Sequence, residues 1–192
     1  LMNNGIYFSA NDAVIEWALP FLSSLRAYNP DVPVALIPFD GRCDKIRALS
    51  QRFDFSVYED QSFDRLEAIG AKLELGHCTY SPFWFRRYAA FWGIFDRFIY
   101  LDARQVILAS LHEFLLATKT YDLDLVYYDT ELDQVYEPGA MRNEFLRRGL
   151  ARGFNSGRWA SRKGLFTIDD FENVLETQLK IRSQLNPRNT DQ

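Results

Sequence analysis

The stretch that most constrains the fold is the apolar run Phe98-Ile99-Tyr100-Leu101, which ends at Asp102. Four uninterrupted apolar residues of this kind predict a strand buried on both faces rather than an amphipathic strand. A carboxylate at the carboxyl end of such a strand lies where open α/β sheets bind ligands. Asp102 is therefore a candidate binding residue, although from this stretch alone a plain turn residue that ends the strand explains it equally well.

Strand and helix patterns alternate three times before this run. Strands are predicted at residues 5–9, 34–37 and 55–58, each followed by a segment with helical spacing of its apolar residues. This alternation is typical of a parallel sheet covered by helices. We therefore expect one Rossmann-like α/β domain over residues 1–192, with a mainly parallel central sheet flanked by helices. Because the sequence stops at Asn189-Thr190-Asp191-Gln192 with no evident finishing element, we also expect the C-terminal portion of this domain to be missing.

Composition and charge exclude several classes of protein. The net charge of −4 argues against general nucleic-acid binding, which needs a basic surface. Cys43 and Cys78 are far apart and form no CxxC, and with two histidines they make no recognisable zinc pattern. We find no apolar run long enough to span a membrane and no signal peptide, so we expect a reducing, cytoplasmic setting.

Arg86 occupies an unusual position in a helix predicted from about residue 82 to 94. On a helical wheel it shares a face with the small residues Ala89, Ala90 and Gly93. A small face favours close packing on a second layer, so we expect Arg86 to need an anionic partner. That partner is either a protein carboxylate or a ligand phosphate.

The segment 141–163 reverses the charge of this acidic chain. It contains seven Arg or Lys and one acid, Glu144. Such a segment suits phosphates, an acidic partner or lipid headgroups in a peripheral membrane contact, and a solvated basic face is the alternative. Within it, Gly153 and Gly157 flank a short polar turn, which suggests backbone pressed close to something.

Several common catalytic motifs are missing from the sequence. It contains no GxxxxGK[ST], no GxGxxG after the first strand, no HExxH and no GxSxG. The lack of a phosphate-binding glycine loop argues against an ATPase or a dehydrogenase.

Four segments, taken in order, resemble a known family. They are the opening Ile6-Tyr7-Phe8-Ser9-Ala10-Asn11-Asp12, the strand Phe98-Ile99-Tyr100-Leu101-Asp102-Ala103, the turn Phe154-Asn155-Ser156-Gly157, and the terminal Asp191-Gln192. The chain is similar to retaining glycosyltransferases of the glycogenin and lipopolysaccharide-galactosyltransferase kind. The resemblance implies a nucleotide-diphospho-sugar transferase domain with the A-type nucleotide-sugar-binding fold.

The resemblance also implies a role for individual residues. Phe8, Asn11 and Asp12 would surround the base and ribose of the donor, and Arg86 would reach its diphosphate or sugar. Asp102 would be the first carboxylate of the family's Asp-x-Asp pair. Asn155 and Asp191 would hydrogen-bond the donor and acceptor sugars, and Gln192 would lie near the anomeric carbon.

The sequence departs from the family pattern at the metal site. Arg104 stands where the family has its second Asp, and the family's later His-x-x-Gly and Lys-Pro-Trp region is not found. Asp102 is then the remaining metal-ligand candidate. Because manganese and magnesium need several oxygen ligands, the neighbouring arginine disfavours both ions.

Three functional hypotheses follow. The first is a glycosyltransferase that moves a hexose from a nucleotide diphosphate, expected to be uridine diphosphate, to an unknown sugar-bearing or small-molecule acceptor. The second is a non-catalytic relative that keeps the fold and binds a nucleotide, a sugar or a partner. The third is a nucleotidyltransferase on a similar sheet, although the glycine-rich basic loop expected after the first strand is missing.

Overall fold

The computed structural model describes residues 3–127, 132–149 and 154–188. Within these ranges six strands form one sheet: β1 (Asn4–Ala10), β2 (Val34–Pro38), β3 (Ser56–Val57), β4 (Arg97–Asp102), β5 (Leu125–Tyr127) and β6 (Arg158–Arg162). Their order across the sheet is β3-β2-β1-β4-β6-β5. β1 to β4 pair in parallel, whereas β6 is antiparallel to both β4 and β5. The predicted, mainly parallel α/β sheet is confirmed.

Helices cover both faces of the sheet. In the described ranges the α-helices are α1 (Ile15–Tyr28), α2 (Asp44–Ala48), α3 (Ser50–Phe53), α4 (Phe63–Leu73), α5 (His112–Thr120), α6 (Ala140–Arg147) and α7 (Ile168–Ile181). The 3₁₀ helices there are Asp12–Val14, Pro82–Trp92, Leu132–Gln134 and Arg182–Gln184. Among the described residues, none of these helices is long and apolar enough to cross a membrane.

Alternate residues of the central strands pack into different helical layers. Ile6 and Phe8 of β1 belong to the core formed with α1, whereas Tyr7 belongs to the core formed with α4 and the 3₁₀ helix Pro82–Trp92. This division follows from the period of two in a strand. The run from Phe98 to Leu101 in β4 divides in the same way and is 0 to 3% exposed. Its predicted burial on both faces is confirmed.

The segment 82–94 folds differently from the predicted α-helix. Pro82–Trp92 is a long 3₁₀ helix, in which three residues make one turn, so that residues three apart share a face. Phe85, Tyr88 and Phe91 accordingly lie together in the core with α4. The α-helical face that was predicted to hold Arg86 together with Ala89, Ala90 and Gly93 is therefore wrong for this segment.

The strand β6 was not predicted from the sequence. It follows the turn at Gly157 and places Trp159 and Ala160, both 0% exposed, on opposite faces of the sheet. Trp159 stacks on Phe91 with ring centroids 4.7 Å apart and on Tyr100 at 5.6 Å. β6 therefore extends the core beyond β4 and brings the turn before it to the end of β4.

The contact between α4 and the 3₁₀ helix Pro82–Trp92 depends on Gly70. A Cβ atom at this position would lie 2.9 Å from the backbone of Pro82 and 2.8 Å from Phe85. We expect Gly70→Ala to lower the free energy of unfolding by about 1–3 kcal/mol through overpacking, even though alanine favours helix by about 1 kcal/mol. Urea denaturation measures this change.

Gly41→Ala is the matched control, because a Cβ atom there meets nothing within 4 Å. Its free energy of unfolding should stay within about 0.5 kcal/mol of the parent. Equal or greater stability of Gly70→Ala would contradict the packing argument.

Candidate functional site

A polar cleft lies at the carboxyl ends of β1 and β4. These two neighbouring strands mark the point where the strand order reverses, which is where open α/β sheets bind ligands. The cleft has a volume of about 750 Å³. The residues that line it include Ser9, Asn11, Phe39, Asp40, Arg42, Phe83, Trp84, Arg87, Asp102, Arg104, Gln134, Asn155, Ser156 and Gly157. Asp102, Asn11, Arg104 and Asn155, predicted from distant parts of the sequence, thus meet in one cleft.

Asp102 lies at the end of β4 and is held by Tyr100. The Tyr100 hydroxyl donates a hydrogen bond to Asp102 Oδ1 over 2.9 Å. Burial of Tyr100 is the main cause that raises the pKa of this hydroxyl well above its usual value; the nearby Arg87 opposes the shift and Asp102 adds to it. Tyr100 therefore stays protonated and donates to the carboxylate throughout the physiological pH range.

Arg87 brings a buried cation to the same place. It is 7% exposed, and its Nη2 lies 3.8 Å from Asp102 Oδ1. Nη1 donates to Ser156 Oγ over 2.8 Å and Nε to the Trp84 carbonyl over 2.9 Å. The guanidinium also lies over the ring of Tyr100, 5.4 Å from its centroid. These contacts hold a fixed positive charge at the cleft, which suits an anionic ligand.

The structure decides between the two anionic partners that the sequence left open for Arg86. Its Nε donates to Glu67 Oε1 over 2.6 Å and its Nη1 to the Pro38 carbonyl over 3.0 Å, and it is not among the residues that line the cleft. A protein carboxylate is therefore its anionic partner. The donor role of Arg86 was implied by the resemblance alone, and in the 3₁₀ helix it is the next residue, Arg87, that lines the cleft.

Two of the three residues predicted near the base and ribose also lie elsewhere. Phe8 is 0% exposed and packs edge-on against Phe55, with ring centroids 5.2 Å apart. A residue in the middle of a central strand points into a helical layer, so Phe8 does not reach a ligand. Asp12 accepts a hydrogen bond from the Ile46 amide over 3.1 Å and holds the start of α2.

Asn11 remains in the cleft, in a network with Asp40 and Arg42. Its Nδ2 donates to Asp40 Oδ2 over 2.9 Å, while its Oδ1 accepts from the Ala13 amide over 3.1 Å. Burial of Asp40 favours its neutral form, but hydrogen bonds from Arg42 and Asn11 outweigh this effect and hold the pKa of Asp40 below its usual value. Asp40 therefore carries a negative charge at neutral pH. Sequence reasoning missed both Asp40 and Arg42.

The turn at residues 154–157 closes directly on Asp102. The Asp102 amide donates to the Gly157 carbonyl over 2.8 Å, and Gln105 Nε2 donates to the carbonyls of both residues. A Cβ atom on Gly157 would lie 2.7 Å from Asp102 Oδ2. The predicted close approach of backbone is therefore found at Gly157, whereas Gly153 lies outside the described residues.

The side chains in the cleft do not fit the divalent metal ion that the resemblance implies. Asp102 already accepts a hydrogen bond from Tyr100, and it shares the cleft with the guanidinium groups of Arg87 and Arg104. In the described ranges no group of three or more His, Cys, Asp or Glu is placed to hold a metal ion. Asp191 and Gln192, predicted near the reacting sugars, lie outside those ranges.

The basic segment 141–163 is a surface with ion pairs where the structure describes it. Arg142 pairs with Asp133, Arg147 with Glu144, and Arg162 with Asp124. Arg152 lies outside the described residues. These pairs agree with a solvated basic face; lipid contact of this segment stays a prediction.

Several solved structures that are similar to this chain are glycosyltransferases. An active-site mutant of LgtC has a TM-score of 0.60 at 17% identity, and the match covers 96% of this chain and 68% of that chain. The galactosyltransferase LgtC in complex with donor and acceptor sugar analogs gives 0.59 at 18% identity, with 97% and 68% covered. The apo form of WbbM, a bifunctional glycosyltransferase, gives 0.51 at 12% identity, with 94% and 34% covered.

A weaker match is the apo form of GlyE from Streptococcus pneumoniae TIGR4, with a TM-score of 0.48 at 17% identity. This chain spans 39% of GlyE, and 94% of this chain is covered. No protein-family model matches the sequence, and no curated protein matches it. At these identities the structural likeness establishes the fold alone, and that fold is the A-type fold of the LgtC-like glycosyltransferases.

Proposed function

We propose that this protein is a glycosyltransferase that moves a hexose from uridine diphosphate to an acceptor hydroxyl. The observation that carries the proposal is the buried guanidinium of Arg87, held beside Asp102 in the cleft at the switch point of the A-type fold. A fixed cation at this place suits the diphosphate of a nucleotide sugar.

The cleft offers distinct surroundings for the parts of such a donor. Phe83 and Trp84 supply flat apolar surface for a base. Arg87 and Arg104 supply positive charge for the diphosphate, and Asp102 and Asn155 supply hydrogen-bonding groups for the sugar. Asn11 and Asp40 lie at the end of β1 and suit the ribose hydroxyl groups.

The proposed reaction puts negative charge where the cleft is positive. The bond from the sugar C1 to the diphosphate oxygen breaks, a bond from C1 to the acceptor oxygen forms, and the acceptor's hydroxyl proton is released. Charge builds up on the departing diphosphate. Arg87, already fixed by Ser156 and the Trp84 carbonyl, stabilises that charge without having to reorganise.

In this proposal Arg104 binds and neutralises the donor diphosphate, the role that the resemblance gives to a divalent metal ion. It is exposed and lines the cleft, and a guanidinium can bind two phosphate oxygens at once. A divalent ion roughly 5 Å from it would be repelled by about 7 kcal/mol at an effective dielectric near 20, before solvent screening. We therefore propose donor binding that needs no divalent metal.

A non-catalytic relative that binds the nucleotide is the second candidate. The observation that favours it is that Asp102 shares the cleft with Arg87 and Arg104, a set of side chains that does not fit a metal ion. Release of uridine diphosphate from its glucose and galactose conjugates separates the two. Turnover supports the transferase, whereas binding without turnover with either sugar and a range of sugar acceptors supports the second candidate.

Calorimetry with uridine diphosphate in the presence of a chelator tests the donor site. We expect binding, and we expect Arg104→Ala to weaken it about 10- to 100-fold, the effect of losing a hydrogen bond to a charged group. Uridine, which lacks the phosphates, should bind both proteins equally. Arg158→Ala is the matched control, because Arg158 is exposed and does not line the cleft. Absence of binding heat at millimolar uridine diphosphate would contradict the proposal.

Arg104→Asp tests the metal argument, because it restores the Asp-x-Asp spacing with Asp102. We expect the variant to lose metal-free binding of uridine diphosphate and to regain part of it with manganese. Titrations with and without manganese measure both effects, and Arg158→Asp controls for the change in net charge. If the unmodified protein already requires manganese for donor binding, the charge argument is wrong.

A further inference from the structure

Gln105 is a polar residue beside the cleft to which the proposed reaction gives no role. Its side chain is half-buried and is not among the residues that line the cleft. Its Nε2 donates one hydrogen bond to the Asp102 carbonyl over 3.0 Å and another to the Gly157 carbonyl over 3.1 Å. A side-chain amide has two N–H donors, so it can make both bonds at once. Gln105 therefore acts on the protein rather than on a ligand.

The two carbonyl groups belong to different segments of the chain. Asp102 ends β4, and Gly157 belongs to the turn that precedes β6. The backbone already joins them through the hydrogen bond from the Asp102 amide to the Gly157 carbonyl over 2.8 Å. After Asp102 the chain leaves the sheet, and Gln105 adds a bond from the departing loop to the same carbonyl. The amide of Gln105 therefore joins the loop after β4 to the turn 154–157.

The loop that is held in this way carries Arg104. On one side of Arg104, Ala103 is buried and belongs to the core formed with α1. On the other side, Gln105 makes its two hydrogen bonds. Further along, Ile107 is buried and its amide donates to Ser24 Oγ over 3.0 Å. Without the amide of Gln105, the three residues that follow Ala103 would lie between one fixed residue and the next.

The place of Arg104 in the cleft depends on its backbone. Its side chain is exposed and, among the described residues, makes no hydrogen bond or ion pair. Arg87 differs, since Ser156 and the Trp84 carbonyl hold its guanidinium directly. Binding that has to order a free side chain and its loop loses affinity through conformational entropy, and a loop that is already ordered lowers this cost. The attachment of the loop through its amide bonds therefore sets the place of Arg104.

We propose that Gln105 is a positioning residue, which holds Arg104 at the donor diphosphate by joining the loop after β4 to the turn 154–157. The inference rests on the proposed function, in which Arg104 binds the diphosphate. It goes beyond that function because it gives a role to a residue that does not line the cleft. Metal-free binding then needs two successive residues, Arg104 to contact phosphate oxygens and Gln105 to keep it in place.

A double-mutant cycle between Gln105→Met and Arg104→Ala tests the inference. Methionine has about the length of glutamine and no charge, but its side chain donates no hydrogen bond. Calorimetry with uridine diphosphate and a chelator measures the affinities of the parent, the two single variants and the double variant. We expect Gln105→Met to weaken binding about 3- to 10-fold, the effect of losing neutral hydrogen bonds.

The decisive quantity is the factor by which Arg104→Ala weakens binding in each background. In the Gln105→Met background this factor should be at most about a third of its value in the parent, because residues that act together are not additive. An equal factor in both backgrounds would show that Gln105 does not act through Arg104, and it would overturn the inference.

Gln51→Met is the matched control, because Gln51 is exposed, lies in α3 and does not line the cleft. Its affinity for uridine diphosphate should equal that of the parent. Gln105→Asn keeps the amide on a side chain shorter by one methylene group, and it should restore part of the affinity that Gln105→Met loses. If it binds no better than Gln105→Met, the amide is not the positioning group and the inference is wrong. Thermal melting checks the fold of each variant, and if Gln105→Met does not fold, the cycle is measured with Gln105→Asn and judged by the same factors.

Inorganic pyrophosphate, titrated on the same variants, separates this inference from the proposed function. If pyrophosphate binds with the expected coupling and uridine diphosphate binds no more tightly, the nucleotide donor is wrong and the positioning role of Gln105 is supported. If uridine diphosphate binds and the two substitutions act independently, the donor site is supported and the inference is wrong. If neither ligand binds, both proposals are wrong.

Discussion

The antiparallel pairing of β4 with β6 is the constraint on which the cleft depends. It ends with the hydrogen bond from the Asp102 amide to the Gly157 carbonyl. Next along β6, Trp159 inserts between the sheet and the 3₁₀ helix, and its Nε1 donates to the Ser156 carbonyl over 3.1 Å. Ser156 in turn receives the guanidinium of Arg87. The positions of Asp102 and Arg87 are thus both set by one pairing of strands.

A buried guanidinium such as that of Arg87 is costly to desolvate, by several kcal/mol. The protein offsets this cost with a carboxylate at 3.8 Å, two hydrogen bonds and an aromatic ring beneath the charge. The guanidinium that is held in this way lines the cleft, whereas Arg86, whose carboxylate partner lies at 2.6 Å, does not line it and acts as a structural residue.

The sequence was sufficient for the parallel strands and for the end of β4, because the apolar run from Phe98 to Leu101 has one plausible structure. The sequence was insufficient where the backbone geometry, rather than the residue types, decides which side chain reaches the cleft. The same residues can form an α-helix or a 3₁₀ helix, so Arg86 and Arg87 could not be told apart. Phe8 is a different case. The sequence already placed it within a predicted central strand, and such a position indicates a core residue. β6 is short and begins with a charged residue, and its burial comes from partners distant in the chain.

In the long 3₁₀ helix, the register of residues 82–92 decides which side chain faces the cleft. Each added or removed residue rotates the following part by about a third of a turn, in contrast to a surface loop, where a change of length is absorbed locally. Insertion of a single residue before Arg86 would move that arginine into the place of Arg87 and withdraw it from Glu67. The inserted residue would take the place of Arg86, and the original Arg87 would move to the place of Tyr88, so the binding role would pass from one arginine to the other. In homologous chains, the length of the segment Pro82–Trp92 should therefore vary much less than its sequence.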